Sequence, residues 1–235
     1  MEIKDARVIV TGGSSGIGYA TAQKLAERGA RVLITGRNKE KLERAAEEIG
    51  AIPVVADVAR EEEVEATFRA VREELGGLDV LINNAGIARR KSIEELTVED
   101  FEAVYRTNVF GAAMMAKHAA SIFKEQNSGH IVNIASTAAK KGYATGTIYC
   151  GSKFALRGMT ECWQAELRPH NVRVILVNPS EVTTAFGQPD RKERPEEPNK
   201  LRSEEIAHTI VATLEMDDRG FIPEVTVFAT NPFKK

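Results

Sequence analysis

Three things are scarce in this chain of 235 residues: long apolar runs, a surplus of either charge, and cysteine. No run approaches the roughly 18 apolar residues of a membrane span, so no membrane partner is expected. With 32 basic and 34 acidic side chains the formal net charge is −2, which lacks the basic excess of a nucleic-acid binder. The two cysteines, Cys150 and Cys162, stand twelve residues apart without metal-ligand spacing. No metal is expected, and both read as reduced thiols. Residues 1–7 alternate in charge and run straight into an apolar segment, unlike a signal peptide. A cytoplasmic setting follows from these two readings. No repeat, linker or composition break divides the chain, and 43% hydrophobic residues can bury a core. One domain over residues 1–235 is the expectation.

The apolar segments then alternate with helical periodicity. Strand-like runs fall at residues 7–10, 32–35, 52–56, 78–82, 131–134, 172–177 and 224–228, with helical patterns between most of them. Such alternation predicts an α/β fold, a doubly wound parallel sheet of about seven strands with helices on both faces. Between the first run and its helix lies Thr11-Gly12-Gly13-Ser14-Ser15-Gly16-Ile17-Gly18. Strand, glycine loop and helix in this order suit a pyrophosphate, whose charge meets free N–H groups at the helix N-terminus. The second strand ends in Gly36-Arg37, with no carboxylate at Thr35, Gly36 or Arg37. An acid there would accept the 2′-hydroxyl of NAD, whereas arginine can fork onto the 2′-phosphate of NADP. Asp57 closes the third strand, as a contact for adenine or a cap for the next helix. Asn108 interrupts an apolar helical pattern over residues 101–123; a buried amide there needs partners, from backbone or from water in a kinked helix. Tyr149 and Lys153 share a helix face four residues apart, where the ammonium favours phenolate and makes tyrosine a usable acid or base.

Taken in order, the glycine motif, Asn83-Asn84-Ala85-Gly86, Asn108, Ser136, Tyr149 with Lys153, and Asn178-Pro179 resemble the short-chain dehydrogenase/reductase family, in its compact single-domain branch. The resemblance runs from about residue 6 to residue 229. It implies hydride transfer between a nicotinamide cofactor and a ketone or secondary alcohol, with Tyr149 as proton donor and Ser136 bonded to the same oxygen. Lys153 would lower the tyrosine pKa and hold the nicotinamide ribose, and Asn108 would position a relay water. The cofactor would lie along Gly12, Ser14, Ser15, Gly16, Ile17, Gly18, Arg37, Asp57, Val58, Asn84, Ala85, Gly86, Tyr149, Lys153, Pro179, Val182 and Thr184. Arg37 favours NADP(H), with NAD(H) possible. The family pairs two helices between subunits. Residues 101–123 and 154–167 are apolar around most of their circumference, so a homodimer or homotetramer is expected.

Departures from the family pattern leave the substrate open. Ser180 replaces the usual glycine after Pro179, Ser15 replaces a basic residue common in NADP-preferring members, and the Asp-Gly-Gly ending of the acyl-carrier-protein reductases is missing. A 3-oxoacyl carrier-protein reductase is thus an alternative to an enzyme of small alcohols, ketones or hydroxy acids. A non-catalytic cofactor sensor is a further one, against which Tyr149 and Lys153 both stand. Substrate choice is expected in residues 138–147 and in a loop at about 181–202, whose Pro-rich part, residues 188–200, reads as mobile. The basic run Arg89-Arg90-Lys91 could meet an acidic carrier, though such runs are usually solvated.

Overall fold

Short aliphatic runs become fully buried strands when helices cover both faces of a sheet. In the computed structural model, which describes residues 1–187 and 194–233, seven runs form strands, the inner ones buried and the two edge strands partly exposed. The strands are β1 (Arg7–Thr11), β2 (Arg31–Gly36), β3 (Ile52–Val55), β4 (Val80–Asn83), β5 (Gly129–Ile134), β6 (Val172–Pro179) and β7 (Glu224–Val227). All pair in parallel, in the order β3-β2-β1-β4-β5-β6-β7. Side chains alternate between two layers, as the period of two requires. Val8, Val10, Val32, Ile34, Val80 and Ile82 face α1 (Gly16–Ala26), α2 (Lys39–Ile49) and α7 (Ser203–Leu214). Ile9, Leu33, Leu81 and Ile131 face α3 (Glu61–Ala70), α5 (Ala112–Gln126) and α6 (Thr147–Leu167). Phe68 and Phe123 anchor the second layer at 1% and 0% exposure. Truncating either to alanine would cost about 3–5 kcal/mol.

β1 lies between β2 and β4, so the chain leaves it in opposite directions across the sheet. A crevice opens at the carboxyl ends of the strands at such a reversal, and this is where an open α/β sheet binds ligands. The helical pattern over residues 101–123 is a continuous rod with a flaw. α4 (Val98–Tyr105) runs through a wide π turn, Arg106–Gly111, into α5. Asn108 sits in that turn. Of the segment expected to be a mobile loop, residues 188–193 lie outside the described residues. Its described flanks are tied together: Val182 pairs with Leu201, the Thr183 amide donates to the Leu201 carbonyl at 2.8 Å, and Asn199 Nδ2 donates to the Pro232 carbonyl at 2.7 Å.

Candidate active site

The cleft at the carboxyl ends of the strands has a volume of about 1190 Å³. Its floor is a set of mutually bonded backbone turns. Thr11 Oγ1 donates to the Ile82 carbonyl at 3.2 Å and accepts the Asn84 and Ala85 amides at 2.9 and 3.0 Å. Asn84 Nδ2 donates to the carbonyls of Thr11 and Gly12 at 2.9 and 3.2 Å, so this side chain pins the glycine loop to β4. Gly12 has φ +65°, and a Cβ there would stand 3.1 Å from Ala85 Cα. A Cβ on Gly18 would meet the Gly12 carbonyl oxygen at 2.3 Å. No side chain fits there. Gly18 therefore lets α1 close onto the loop from behind and does not itself line the cleft, unlike Gly12, Ser14, Ser15, Gly16 and Ile17.

At one end the cleft is lined by Arg37, Asp57 and Val58, as expected, and by Asn38 and Lys41. Asn38 caps α2 by accepting the Lys41 amide at 2.9 Å, which sets the first turn of that helix against the cleft. Arg37 is exposed, its guanidinium 3.8 Å from the Asp57 carboxylate. Asp57 also accepts the Ala59 amide at 3.0 Å, closing a local turn, while Arg60 takes the position before α3. The cap expected of Asp57 is thus a turn two residues long.

At the other end, Ser136, Tyr149 and Lys153 face the cleft together. The Tyr149 hydroxyl lies close enough to Ser136 for that side chain to act on the phenol, and Ser136 Oγ accepts the Ala138 amide at 3.1 Å. Burial pushes the Tyr149 phenol well above its ordinary value; the nearby Ser136 side chain and the Arg90 charge work against that rise. Lys153 Nζ donates to the Ile134 carbonyl at 2.8 Å and lies 5.8 Å from the centre of the Tyr149 ring. Complete burial lowers its ammonium to about 8. Asn108 stands behind this wall, 1% exposed and outside the cleft lining. Its Oδ1 accepts the Ile87 amide at 2.9 Å, and its Nδ2 donates to the Ile87 carbonyl at 2.9 Å and to Ser152 Oγ at 3.0 Å. Every polar atom of the amide has a protein partner, so Asn108 fastens the loop after β4 to α6 through the π turn. The remaining expected positions, Asn84, Ala85, Gly86, Pro179, Val182 and Thr184, all line the cleft. Thr184 touches Gly16: a Cβ there would be 3.3 Å from its methyl carbon.

A glycine loop at a helix N-terminus, a crevice at the sheet reversal and a tyrosine–serine pair beside a buried lysine coincide with a match to the family described as short chain dehydrogenase, over residues 6–195. The chain belongs to that family. It is accordingly an NAD(P)-dependent oxidoreductase. An uncharacterized oxidoreductase of Staphylococcus aureus (strain MRSA252) is 34% identical over 232 residues, covering 96% of this chain and 97% of that protein. Among solved structures, an alcohol dehydrogenase from the archaeon Thermococcus sibiricus, complexed with 5-hydroxy-NADP, superimposes with a TM-score of 0.89 at 27% identity, covering 98% of both chains. A metagenomic short-chain oxidoreductase in complex with NADP gives 0.84 at 30%, covering 97% of this chain and 98% of that one. Serine dehydrogenase from Escherichia coli gives 0.83 at 26%, covering 94% and 96%.

Several lining residues of this short-chain dehydrogenase escaped the sequence reading. Lys41 stands in the first turn of the helix that follows Arg37, a closeness in sequence that could have signalled it. Arg90 belongs to a basic run that looked solvated, yet only its neighbours pair locally: Arg89 and Lys91 both reach Asp100, and Arg90 lines the cleft. Tyr143, within the 138–147 segment, carries the Arg90 guanidinium 5.6 Å from its ring centre. Phe186, within the loop expected at about 181–202, packs against Tyr149 with ring centres 5.7 Å apart, and Phe228 lines the same cleft. Nothing in spacing marks Phe228; the segments that carry these two rings meet only in the fold.

Proposed function

We propose that the protein is an NADP-dependent oxidoreductase that interconverts a small ketone and its secondary alcohol, with Tyr149 as the proton donor and acceptor. The observation that carries this reading is that Tyr149, Ser136 and Lys153 together line the wall of a cleft whose other end is a phosphate-type glycine loop. Two donors directed at one point can hold and polarise a carbonyl oxygen. Tyr149 gives its proton to that oxygen and Ser136 supplies a second hydrogen bond. Burial keeps the phenol protonated until it is needed, and the charges of Lys153 and Arg90 favour its release. Lys153 holds the nicotinamide ribose, and Asn108 keeps the π turn open beside it for proton exchange with water.

The cleft residues fit a dinucleotide. Gly12 and Gly16, both at positive φ, present bare backbone before the N-terminus of α1, which suits a pyrophosphate. When bound, the cofactor supplies or accepts the hydride. Arg37 and Lys41 give the adenosine end two cations, and Thr35, Gly36 and Arg37 place no carboxylate there, so NADP(H) is preferred and NAD(H) is secondary. A charge-assisted contact to the 2′-phosphate contributes about 1.5–3 kcal/mol. The NADP and NADP-derivative complexes of two neighbours support the same choice.

The protein works as one cofactor-binding and catalytic domain, paired through α5 and α6 into a homodimer or homotetramer, in the cytoplasm. Phe110 and Phe154, 58% and 45% exposed, are the apolar surface that pairing would cover. A monomer of about 26 kDa in light scattering would refute the pairing. The activity is tested by following NADPH absorbance with a panel of ketones, and NADP⁺ with the matching alcohols. Failure in both directions, with the dinucleotide demonstrably bound, would leave a cofactor sensor instead.

A further inference from the structure

We infer that the substrate of this enzyme carries a carboxylate, which Arg90 holds while the carbonyl oxygen meets Tyr149. The inference rests on the oxidoreductase reading above and adds the chemical class of the substrate. It begins with an inequality among three consecutive cations. Arg89 and Lys91 share Asp100 at 2.5 and 2.8 Å, whereas Arg90 has no carboxylate partner among the described residues. Its guanidinium instead lies against Tyr143, 5.6 Å from the ring centre. An aromatic face holds the planar fork in place without neutralising it, leaving donors for a planar anion.

The surroundings leave that charge uncompensated. Glu181, the acid lining this end of the cleft, is paired with Arg194 at 3.2 Å and with Lys200. Lys140 is satisfied by Glu224 at 2.9 Å, and Lys141 adds another cation to the lining. The lining also includes Tyr143, which carries Arg90, and Ala138 and Phe186, which pack against Tyr149, apolar surfaces suited to a short carbon chain. Arg90, the Tyr143 ring beneath it and Tyr149 all line the one cleft, so a small molecule bound there has both groups within its site. A 2-oxo or 3-oxo acid, or the corresponding hydroxy acid, has this combination of groups.

The test compares kcat/KM for short oxo acids and for their methyl esters in the wild type, Arg90→Ala, Arg90→Lys and Arg89→Ala. Taking the acid-to-ester ratio removes any effect that Arg90 has on Tyr149 itself. The ratio should exceed one in the wild type, fall about ten- to a hundredfold in Arg90→Ala through KM, and be intermediate in Arg90→Lys, which keeps the charge and loses the fork. Arg89→Ala should stay near the wild-type ratio. Equal ratios in the wild type and Arg90→Ala would overturn the inference, as would a carrier-protein thioester turned over far better than any free acid. A second measurement separates this claim from the oxidoreductase reading: calorimetric titration of butyrate and butyramide into the protein with NADP⁺. Butyrate should bind more tightly than the amide, and the difference should vanish in Arg90→Ala. If no carbonyl compound is turned over but that difference is found, the catalytic reading fails and the carboxylate site stands. Equal affinity for the two probes removes the carboxylate site whatever the turnover.

Discussion

The two halves of the cleft are made of different material. The half suited to the dinucleotide has a backbone floor: the turns after β1 and β4, locked by Thr11 and Asn84, with Gly12 at positive φ and Gly18 where no side chain fits. The half suited to the substrate is side chain and loop, drawn from residues 138–143, 180–187, 194 and 226–228 and held largely by ion pairs around Glu181 and Glu224. Strand ends are fixed by every ladder bond behind them, so the first half can hardly vary without unfolding. Exposed pairs and loops are worth little each, so the second half can be rebuilt one residue at a time. Tyr149, Ser136 and Lys153 sit at the join, anchored in the fixed half and facing the variable one.

The sharpest break comes at the join. Tyr149→Phe should lower turnover by about 10²-fold or more, as for a lost general acid, with NADPH affinity kept. Lys153→Ala should do more, since the ribose contact goes as well, and NADPH titration should show the weaker binding. Near-normal turnover in Tyr149→Phe would remove the join as the reacting centre.

Next in size is the adenosine end. The wild type should favour NADPH over NADH by about ten- to a hundredfold in kcat/KM, shrinking as salt rises. Arg37→Ala with Lys41→Ala should abolish most of that preference, and adding Gly36→Asp should reverse it. A Cβ at Gly36 would stand 3.3 Å from Leu42 Cδ1 and 3.5 Å from Ser14 Oγ, so the new acid needs only a small adjustment. Comparable kcat/KM for both cofactors in the unmutated protein would mean that Arg37 points to solvent.

A third effect lies in the pH profile. The Lys153 ammonium is charged below about 8 and loses its proton as pH rises through that value, while the phenol stays protonated well beyond it. Ketone reduction should therefore fall above pH ~8 by up to about tenfold per unit. Lys153→Arg should move that limb upward; a limb at the same pH in that variant would assign it to another group.

The smallest effect tests the variable half. Arg194 donates to the Val182 carbonyl at 2.8 Å and the Thr184 carbonyl at 3.3 Å, and pairs with Glu181. With roughly 1 kcal/mol per bond, Arg194→Ala should raise KM by about three- to tenfold while leaving the melting temperature within a few degrees. A large loss of stability would show that this half is as rigidly built as the other.

Periodicity alone carried the seven parallel strands and their helices, because alternation and burial on both faces are written into runs such as Val8-Ile9-Val10 and Val32-Leu33-Ile34. The glycine loop and the tyrosine-to-lysine step were legible for a similar reason: their chemistry depends on spacing along one element, and spacing is what a sequence records. Residues 188–193, read from composition as part of a loop, lie outside the described residues, while the flanks of that segment are tied to each other. Tertiary structure alone decided the rest. It turned Asn108 into a fully bonded clasp between Ile87 and Ser152, made Gly18 a packing position, and added Lys41 to the cleft lining beside Arg37. It also set Arg90 over Tyr143, with no carboxylate partner among the described residues, while its neighbours shared Asp100, and brought Phe186 and Phe228 to the same opening. Each of these depends on which segments meet after folding, and such meetings are set by distances through space that the order of residues along the chain does not contain.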